Sequence, residues 1–447
     1  MRRLTLVLLA LLSAASAAAQ EPLTLPQAIS LTLANNPAVR AADAGGREAT
    51  ERLEQARAGY FPRVNVVESW QRSDQPVFVF SSLLSQRQFG PENFRIDALN
   101  HPDATNNFRT MFAVEQPIFD GTRTPSAIKA ARIGQSIATL DRERLAADLT
   151  LAATRAYGEV LQAQAARRAA DAAVASADED LRRAGRRRDA GLETDANVLA
   201  IDVQLAQMRE RQIRAERDEA VARVELNALM GIDLDRVYTL AEVPPPQAAQ
   251  PPDAHALEAA AIGARPELRQ ASLQRELALA QRAVVRSTLL PQVSLQAGLE
   301  LNGGTFADRA SAWLVGTQVS WSVFSGGANQ ARLREATFAA ERAQAERDRL
   351  EAAVRVEVRS ALARLEAARA REAVSRKAVE QAGESQRIIR DRYEAGLAPA
   401  SELLRANLAR VDAEALRVGA LVDIVVSQAA LDKAIGKTNT NTELTRN

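Results

Sequence analysis

The stretch QPIFDGTRTPSA at 116–127 returns as WSVFSGGANQAR at 321–332, and this recurrence decides the fold. Residues 119–231 align with residues 324–436 at a constant offset of 205, without an insertion or a deletion. An internal repeat is the strongest guide to architecture, because each copy has to build the same unit. Each copy predicts short helices, two strands, one very long helix, a glycine turn and a returning helix.

The repeat divides the chain into two copies with flanking segments. The predicted segments are a signal peptide at 1–19, a first repeat at 20–243, a Pro-rich linker at 244–253, a second repeat at 254–436 and a flexible polar tail at 437–447. The predicted elements are strands at about 63–72 and 108–117, a helical hairpin at about 125–230, strands at about 291–302 and 312–322, and a helical hairpin at about 328–435. A second alignment, at an offset of 229, lines up residues 37–64 with residues 266–293, so the first copy carries 24 additional residues.

The first residues carry an export signal. Arg2 and Arg3 precede the apolar run 4–12, and small residues follow up to Ala19, as in a secretory signal with an Ala-x-Ala cleavage site. The chain contains no cysteine, so it offers neither a disulfide framework nor a lipid-acceptor Cys after the signal. No uninterrupted apolar run of about 18 residues follows, which argues against a transmembrane helix.

Motifs that carry chemistry are missing from the sequence. The two histidines, His101 and His255, have no cysteine beside them that would complete a metal site. Neither a Gly-rich phosphate loop nor a GxSxG motif is present, and the carboxylates alternate with arginines along helices as ion pairs do. The net charge of +1 provides no field for nucleic acid. We therefore expect no enzyme, no cofactor, no metal and no nucleic-acid partner.

Both copies contain a helix far longer than those of ordinary globular proteins. The segment 125–189 has its only proline at the first position and, at about 1.5 Å per residue, would extend for roughly 97 Å. Turns at 190–194 and 395–399 reverse the chain, with Ser401 as the predicted N-cap of the last helix, so each copy predicts an antiparallel hairpin. The expected buried stripe consists of Ala152, Ala156, Val160, Ala163, Ala166, Ala170, Ala361, Leu365, Ala368 and Val379. A solitary coiled-coil hairpin in solution would show the same stripe.

The strands alternate between apolar and polar residues. The apolar sides are Val293, Leu295, Ala297, Leu299 and Leu301 in one strand and Trp313, Val315, Thr317, Val319 and Trp321 in the next. About ten residues span lipid in a tilted strand, and aromatic residues at its two ends form membrane girdles, which we assign to Trp313, Trp321 and Trp70. A soluble sheet or sandwich would alternate in the same way.

Four strands cannot close on themselves, and open sheet edges are costly in hydrocarbon. Two chains would give eight strands around a filled interior, whereas three give twelve strands around a lumen, so we expect a trimer that shares one barrel. The additional residues of the first copy fall in its strand-to-strand loop, 73–107, which we place at the cell surface. The apolar residues of this loop would fold it over the barrel mouth, bury one another or form a receptor site.

Several short motifs resemble the TolC family of outer-membrane efflux proteins. They are LTLPQA at 23–28 with NNP at 35–37, YFP at 60–62 against LLP at 289–291, QPIFDG at 116–121 against WSVFSG at 321–326, and the turns AGL at 190–192 and YEAGL at 393–397. The resemblance covers nearly the whole chain after the signal, and the duplicated order makes it more specific than any single motif.

The resemblance implies a mainly α fold with β-structure. In such a fold, a trimeric 12-stranded outer-membrane β-barrel with four strands per protomer is continued by a periplasmic α-helical barrel of long antiparallel coiled-coil hairpins. The implied function is a passive exit duct of a tripartite efflux pump or of type I secretion, in the outer membrane of a Gram-negative bacterium and extending into the periplasm. The implied partners are two further copies in a homotrimer, a periplasmic adaptor (membrane fusion) protein, an inner-membrane pump of RND, ABC or MFS type, and outer-membrane lipid. A soluble periplasmic coiled-coil adaptor or scaffold without a pore is the alternative.

The resemblance also implies two functional regions. Members of the family keep the periplasmic end constricted by the helix after the second turn, often with acidic rings six and nine residues beyond its glycine, and these positions are Glu402 and Arg405 here. Glu402 fits an acidic ring, whereas Arg405 does not and would instead form salt links that hold the closed state. The expected adaptor-docking residues are Gly191, Leu192, Arg187, Arg392, Gly396 and Leu397. Ordinary solvated helix charges are the alternative for the charged positions.

Overall fold

The computed structural model describes residues 22–241 and 253–437. The predicted signal peptide (1–19), the predicted linker (244–253) except its last residue, and the predicted tail (437–447) except its first residue lie outside these ranges. The helices are α1 (Leu25–Asn35), α2 (Pro37–Arg57), α3 (Pro76–Ser85), α4 (Ile96–Asn100), α5 (Arg123–Asp189), α6 (Asp195–Met230), α7 (Ala254–Ala264), α8 (Pro266–Ser287), α9 (Ala328–Glu394) and α10 (Ala400–Ala434). The strands are β1 (Arg63–Ser73), β2 (Thr105–Phe119), β3 (Gln292–Gly303) and β4 (Ala310–Ser320), and short 3-10 helices cover Ala58–Tyr60 and Pro91–Phe94.

These elements form two units, each of which draws on both repeats. The helical unit comprises the described residues of Met1–Asp43, Leu140–Leu268 and Arg349–Asn447, and the sheet unit comprises Ala44–Thr139 and Arg269–Asp348. The long helices α5 and α9 therefore contribute residues to both units. Within the described ranges, no helix has the length and hydropathy that a membrane span requires.

Two buried clusters hold the helical unit together. The first joins α1, α5, α6 and α10 through Ala28, Tyr157, Val160, Leu161, Leu226, Met230 and Val422. The second joins α7, α8, α9 and α10 through Ala261, Leu268, Val354, Val358, Ala361, Leu362, Leu365, Ala368, Ile424, Leu431, Ala434 and Ile435. Each fully buried branched side chain contributes about 1.5–3 kcal/mol by removal from water. Helix α10 is common to both clusters, so it ties the first repeat to the second.

Both returning helices end in the same way. Helix α6 ends at Gly231, where φ is +64° and a Cβ would lie 3.0 Å from the carbonyl oxygen of Asn35 at the end of α1. Gly436 follows α10 with φ of +72°, and a Cβ there would lie 2.9 Å from the carbonyl carbon of Ala264 at the end of α7. Glycine is needed at both positions because the backbone is left-handed and another helix end approaches closely. The two joints are structural equivalents in the two repeats.

The buried side of the long helices differs in part from the predicted stripe. Val160, Ala170, Ala361, Leu365 and Ala368 are buried as predicted, whereas Ala152, Ala156, Ala163 and Val379 are half-buried and Ala166 is exposed. Tyr157, which the prediction left out, is 1% exposed, and its hydroxyl shares its one proton between the carbonyls of Leu23 (2.8 Å) and Ala241 (2.7 Å). The prediction assumed close approach between small residues, but an aromatic ring with a satisfied hydroxyl fills this position instead.

The sheet unit contains four antiparallel strands in the order β1-β2-β3-β4. The second strand of the first repeat, β2, pairs with the first strand of the second repeat, β3. A register shift between Pro117 and Phe119 interrupts this pairing, since proline has no N–H to donate. In the described part of the chain, β1 and β4 each pair on one side only, so the sheet has two open edges.

The strand register places apolar residues on one face of the sheet. Leu299 pairs with Trp313 and Ala297 with Val315, so the two predicted apolar rows lie side by side. The same face continues across β2 and β1 through Phe112, Val114, Val64 and Val66, because directly paired residues share a face. The opposite face carries most of the polar side chains, together with Val67 and Leu314, whereas Glu68 and Thr110 lie on the mainly apolar face. These polar side chains are Asn65, Ser69, Asn107, Arg109, Gln296, Glu300, Asn302 and Gln318.

Candidate functional site

The two turns of the helical hairpins have the same geometry. Gly191 has φ of +74°, and the amide of Leu192 donates to the carbonyl of Arg187 at 2.8 Å. Gly396 has φ of +75°, and the amide of Leu397 donates to a carbonyl five residues earlier, also at 2.8 Å. This hydrogen bond closes a Schellman motif, which requires a residue that tolerates left-handed backbone. We call residues 187–194 the first tip and residues 392–399 the second tip.

The predicted docking residues at the tips differ in exposure. Leu192 and Leu397 are 69% and 70% exposed, so each tip presents one large apolar side chain. The guanidinium of Arg187 lies 3.6 Å from the Glu193 carboxylate and 5.7 Å from the ring centre of Tyr393. The ion pair with Glu193 lies within the first tip, and the contact with the Tyr393 ring, as a cation over an aromatic face, joins the first tip to the second.

Side chains that precede the turn stabilise the second tip. Arg392 donates to the carbonyl of Leu397 at 3.4 Å and so supports its own turn. Tyr393 is 3% exposed, and burial raises the pKa of its hydroxyl. The guanidinium of Arg183 in α5 lies 3.5 Å from the carboxylate of Glu394. The tips are thus linked to each other by side chains from both repeats.

The predicted gate residues lie in the first turns of α10. Glu402 is half-exposed and Arg405 is exposed, while Leu403 and Ala406 between and beside them are buried at 2% and 6%. Within the residues that the structure describes, neither Glu402 nor Arg405 has an ion pair or a side-chain hydrogen bond. A carboxylate in the first turn is favoured by the positive end of the helix dipole. Both charged groups are therefore free to face solvent or another chain.

A polar cluster fixes α10 to the other helices just beyond these residues. The side chain of Asn407 donates to Ser176 Oγ at 3.2 Å and to Asp180 Oδ2 at 3.4 Å, both in α5. It accepts from Gln386 Nε2 of α9 at 2.8 Å, and Gln386 in turn accepts from Arg410 at 2.7 Å. We call Ser176, Asp180, Gln386, Asn407 and Arg410 the amide cluster. Sequence reasoning missed it, although a polar residue in a buried helical seam is the signal that could have revealed it.

The amide cluster contains a buried carboxyl group. Asp180 is 7% exposed, and burial raises the pKa of its carboxyl above the usual value, against a smaller lowering by Arg183 and Arg390. The neighbouring Glu179 raises the pKa further. The charged form of Asp180 is thus held in an unfavourable environment. Among the described residues, no group of three or more His, Asp or Glu is arranged to hold a metal ion.

The predicted girdle tryptophans are all exposed in the protomer. Trp313 is 79% exposed and Trp70 is 61% exposed, and both lie on the apolar face of the sheet. The Trp70 ring lies 6.3 Å from the Phe108 ring. Trp321 follows the end of β4 and donates its indole N–H to the carbonyl of Leu289 at 3.1 Å. An apolar ring with one satisfied polar atom suits a membrane interface.

The sequence matches a family model over most of its length. The model described as outer membrane efflux protein matches residues 28–232 and 258–437. The chain is also 28% identical to Protein CyaE of Bordetella pertussis (strain Tohama I) over 409 residues, which cover 87% of this chain and 78% of that protein.

Solved structures share the fold. The outer-membrane channel OprN superposes with a TM-score of 0.76 at 22% identity, covering 93% of this chain and 90% of that one. The Campylobacter jejuni CmeC outer membrane channel superposes with a TM-score of 0.77 at 17% identity, covering 92% and 85%. The family and the fold are those of passive channels and not of enzymes. The chain belongs to the outer membrane efflux protein family and is an exit duct of the outer membrane that extends into the periplasm.

Proposed function

We propose that three copies of this chain close one twelve-stranded barrel and act together as the passive exit duct of a tripartite efflux pump or of type I secretion. Channels of this family are homotrimers that work with adaptor and inner-membrane pump partners. The duct is passive, and energy comes from the inner-membrane partner, of RND, ABC or MFS type. The observation that carries the proposal is a four-stranded sheet with one mainly apolar face and, in the described part of the chain, two open edges.

The open edges of the sheet have to be paired before the sheet can lie in a membrane. The edge strands β1 and β4 contain 11 residues each, and about half of their backbone groups point away from the sheet. Each unpaired group costs several kcal/mol in hydrocarbon, so two bare edges cost tens of kcal/mol. Pairing β1 of one protomer with β4 of the next removes this cost. Three protomers give twelve strands, which leave a lumen that eight strands do not.

The two faces of the sheet support the same arrangement. The apolar face would meet lipid, with Trp313, Trp321 and Trp70 at the interfaces, and the polar face would line the lumen. The two repeats at 20–243 and 254–436 would then each contribute two strands and one hairpin. This division makes each protomer a pair of similar halves.

The hairpin tips are the proposed adaptor-docking surface. Its residues are Gly191, Leu192, Arg187, Arg392, Gly396 and Leu397. Support comes from the exposed Leu192 and Leu397 at equivalent positions, which a partner could cover, and from the rigid turns that present them. Rigid presentation of an apolar side chain lowers the entropic cost of binding.

The proposed gate consists of Glu402 and, secondarily, Arg405 facing the pore near its constriction. The support is their solvent access in α10 without an intrachain partner among the described residues. Single-channel recording of Glu402→Ala in planar bilayers should show reduced cation selectivity, and Arg405→Ala the opposite change. Glu380→Ala in α9 is the matched control for the loss of one carboxylate. Conductance and selectivity that stay at the wild-type values in Glu402→Ala would remove this residue from the pore.

Fractionation and bilayer recording test the duct as a whole. We expect the chain in the outer membrane as heat-modifiable trimers that give discrete conductance steps after detergent extraction. A monomer recovered with soluble periplasmic protein, with no conductance, would instead support the coiled-coil adaptor or scaffold.

A further inference from the structure

The segment between β1 and β2, residues 74–104, is folded and not an open loop. It contains α3, a 3-10 turn and α4, joined by edge-to-face contacts of Phe89 with Phe80 (4.7 Å) and Phe94 (5.0 Å). Val79 is buried to 4% exposure. We call residues 76–100 the mouth segment. It has a small core of its own, made by these rings and Val79.

The mouth segment is fastened to the polar face of the sheet. Gln86 is 5% exposed and donates to the Asn106 carbonyl at 2.8 Å and to Asn107 Oδ1 at 3.0 Å. Asn107 donates to Asn302 at 2.9 Å, and Asn302 donates to Glu300 at 2.7 Å. These residues lie on the face opposite Trp313, as the strand register requires. A continuous chain of side-chain hydrogen bonds therefore runs from the segment across β2 to β3.

A second contact directs the segment across the sheet. The Arg87 guanidinium donates to the carbonyl of Ser311 in β4 at 2.9 Å. Helix α3 accordingly contacts β2, β3 and β4, although the segment follows β1 in the chain. The segment thus spans the width of the protomer's sheet on its polar side.

Large apolar side chains of the segment remain uncovered. They are Val77 (75% exposed), Ile96 (79%), Phe94 (66%) and Leu84 (50%). Nothing else in the described chain covers them. Since the segment starts directly after the edge strand β1, the neighbouring copy that pairs with this edge also brings its own mouth segment close.

We propose that the three mouth segments of the trimer fold inward over the lumen and meet through these apolar side chains, forming an outer constriction that limits the size of what leaves the duct. This inference rests on the proposed function. Twelve strands about 4.8 Å apart and tilted by about 40° form a ring about 24 Å across. Three helices of about 10 Å diameter, packed around one axis, fill a circle about 22 Å across. The segments are large enough to narrow the opening almost completely.

Thiol labelling from outside intact cells tests the constriction, because the natural chain has no cysteine. The reporter is Gly316→Cys on the polar face of β4, where an added Cβ meets nothing within 4 Å. The matched control is Ala307→Cys in the exposed turn between β3 and β4. Each is labelled with a small maleimide and with a maleimide that carries a large polyethylene glycol chain. The two cysteine variants are then labelled again in a chain whose residues 74–104 are replaced by the shorter turn 304–309 of the second repeat.

We expect the large reagent to label Gly316→Cys about tenfold or more slowly than Ala307→Cys in the full chain, and at similar rates after the replacement. Equal rates in the full chain would overturn the constriction and leave the duct intact. If, after the replacement, neither reagent labels Gly316→Cys while both label Ala307→Cys, then Gly316 does not face an open lumen. This result would overturn the duct and the constriction together. If the chain with the replaced segment does not reach the membrane, Gln86→Ala serves as a second variant, because it removes the hydrogen bonds that hold the mouth segment to the sheet. In this variant the large reagent should label Gly316→Cys faster than in the full chain. Unchanged labelling would refute the proposal.

Discussion

Replacing Asn407 by alanine tests whether the amide cluster holds α10 in place. The Asn407 side chain makes three hydrogen bonds, to Ser176 at 3.2 Å, to Asp180 at 3.4 Å and from Gln386 at 2.8 Å. They join α10 to α5 and to α9, five residues beyond the proposed gate position Glu402. If the gate opens by withdrawal of α10, these bonds must break in each protomer. The variant should therefore favour the open state.

The size of the effect follows from the bonds that are lost. A net contribution of about 0.5–1.5 kcal/mol per hydrogen bond, discounted for the long contact to Asp180, gives about 2 kcal/mol per protomer. At about 1.4 kcal/mol per factor of ten, this shifts the open–closed equilibrium by about 30-fold if each α10 moves alone. If three helices move together, the shift rises to about 10⁴-fold.

Open probability in planar bilayers measures this shift. Asn407→Ala should raise the open fraction at least about tenfold over the wild type. The matched control is Asp202→Ala, since Asp202 occupies the equivalent position in the first repeat and is exposed. An open fraction of Asn407→Ala that equals that of Asp202→Ala would refute the role of the amide cluster in closure.

Three further predictions concern the helical unit. Burial raises the pKa of Asp180 above its usual 3.8, so its contribution to the closed packing is present at low pH and is lost as pH rises through the raised pKa. Open probability should therefore increase as pH rises above about 4, and Asp180→Asn should flatten this dependence. Burial raises the pKa of Tyr157 to about 12, so its hydroxyl keeps the proton that it shares between the carbonyls of Leu23 and Ala241. Tyr157→Phe should therefore lower the free energy of unfolding by about 1–3 kcal/mol in denaturant titration, and an unchanged value would refute a stabilising role for this hydroxyl. Leu365 is 1% exposed, and Leu365→Ala should cost about 2–5 kcal/mol in the same assay, whereas a loss below about 1 kcal/mol would mean that the site collapses around the change.

The architecture could be predicted because the sequence repeats itself. The glycines at 191 and 396 predict the two tips, and they adopt the same left-handed backbone 205 residues apart. The alternation in β3 and β4 predicts one apolar face, and the pairing of Leu299 with Trp313 confirms it. Periodicity and turn chemistry are local properties, so they can be read directly from the chain.

Features that depend on distant partners could not be predicted in this way. Asn407 is one polar residue among many on its helix. Its hydrogen bonds form only because α5 and α9 pack against α10 at this position. Ser401 was expected to cap the last helix, but α10 starts at Ala400 with Pro399 as N-cap, so this prediction was wrong. Pro399 has the extended backbone of an N-cap residue, with φ of −73° and ψ of 156°, and no side chain caps this helix start. The gate and docking residues stay predictions.

Hydrogen exchange on the sheet edges of the membrane-inserted protein tests the central claim most directly. In a lone protomer about half of the amides of β1 and β4 point away from their single neighbour and exchange rapidly. If neighbouring protomers pair through these edges, amides throughout β1 and β4 should exchange as slowly as those of the central strands β2 and β3. Rapid exchange of alternate amides along β1 and β4 would contradict the shared barrel.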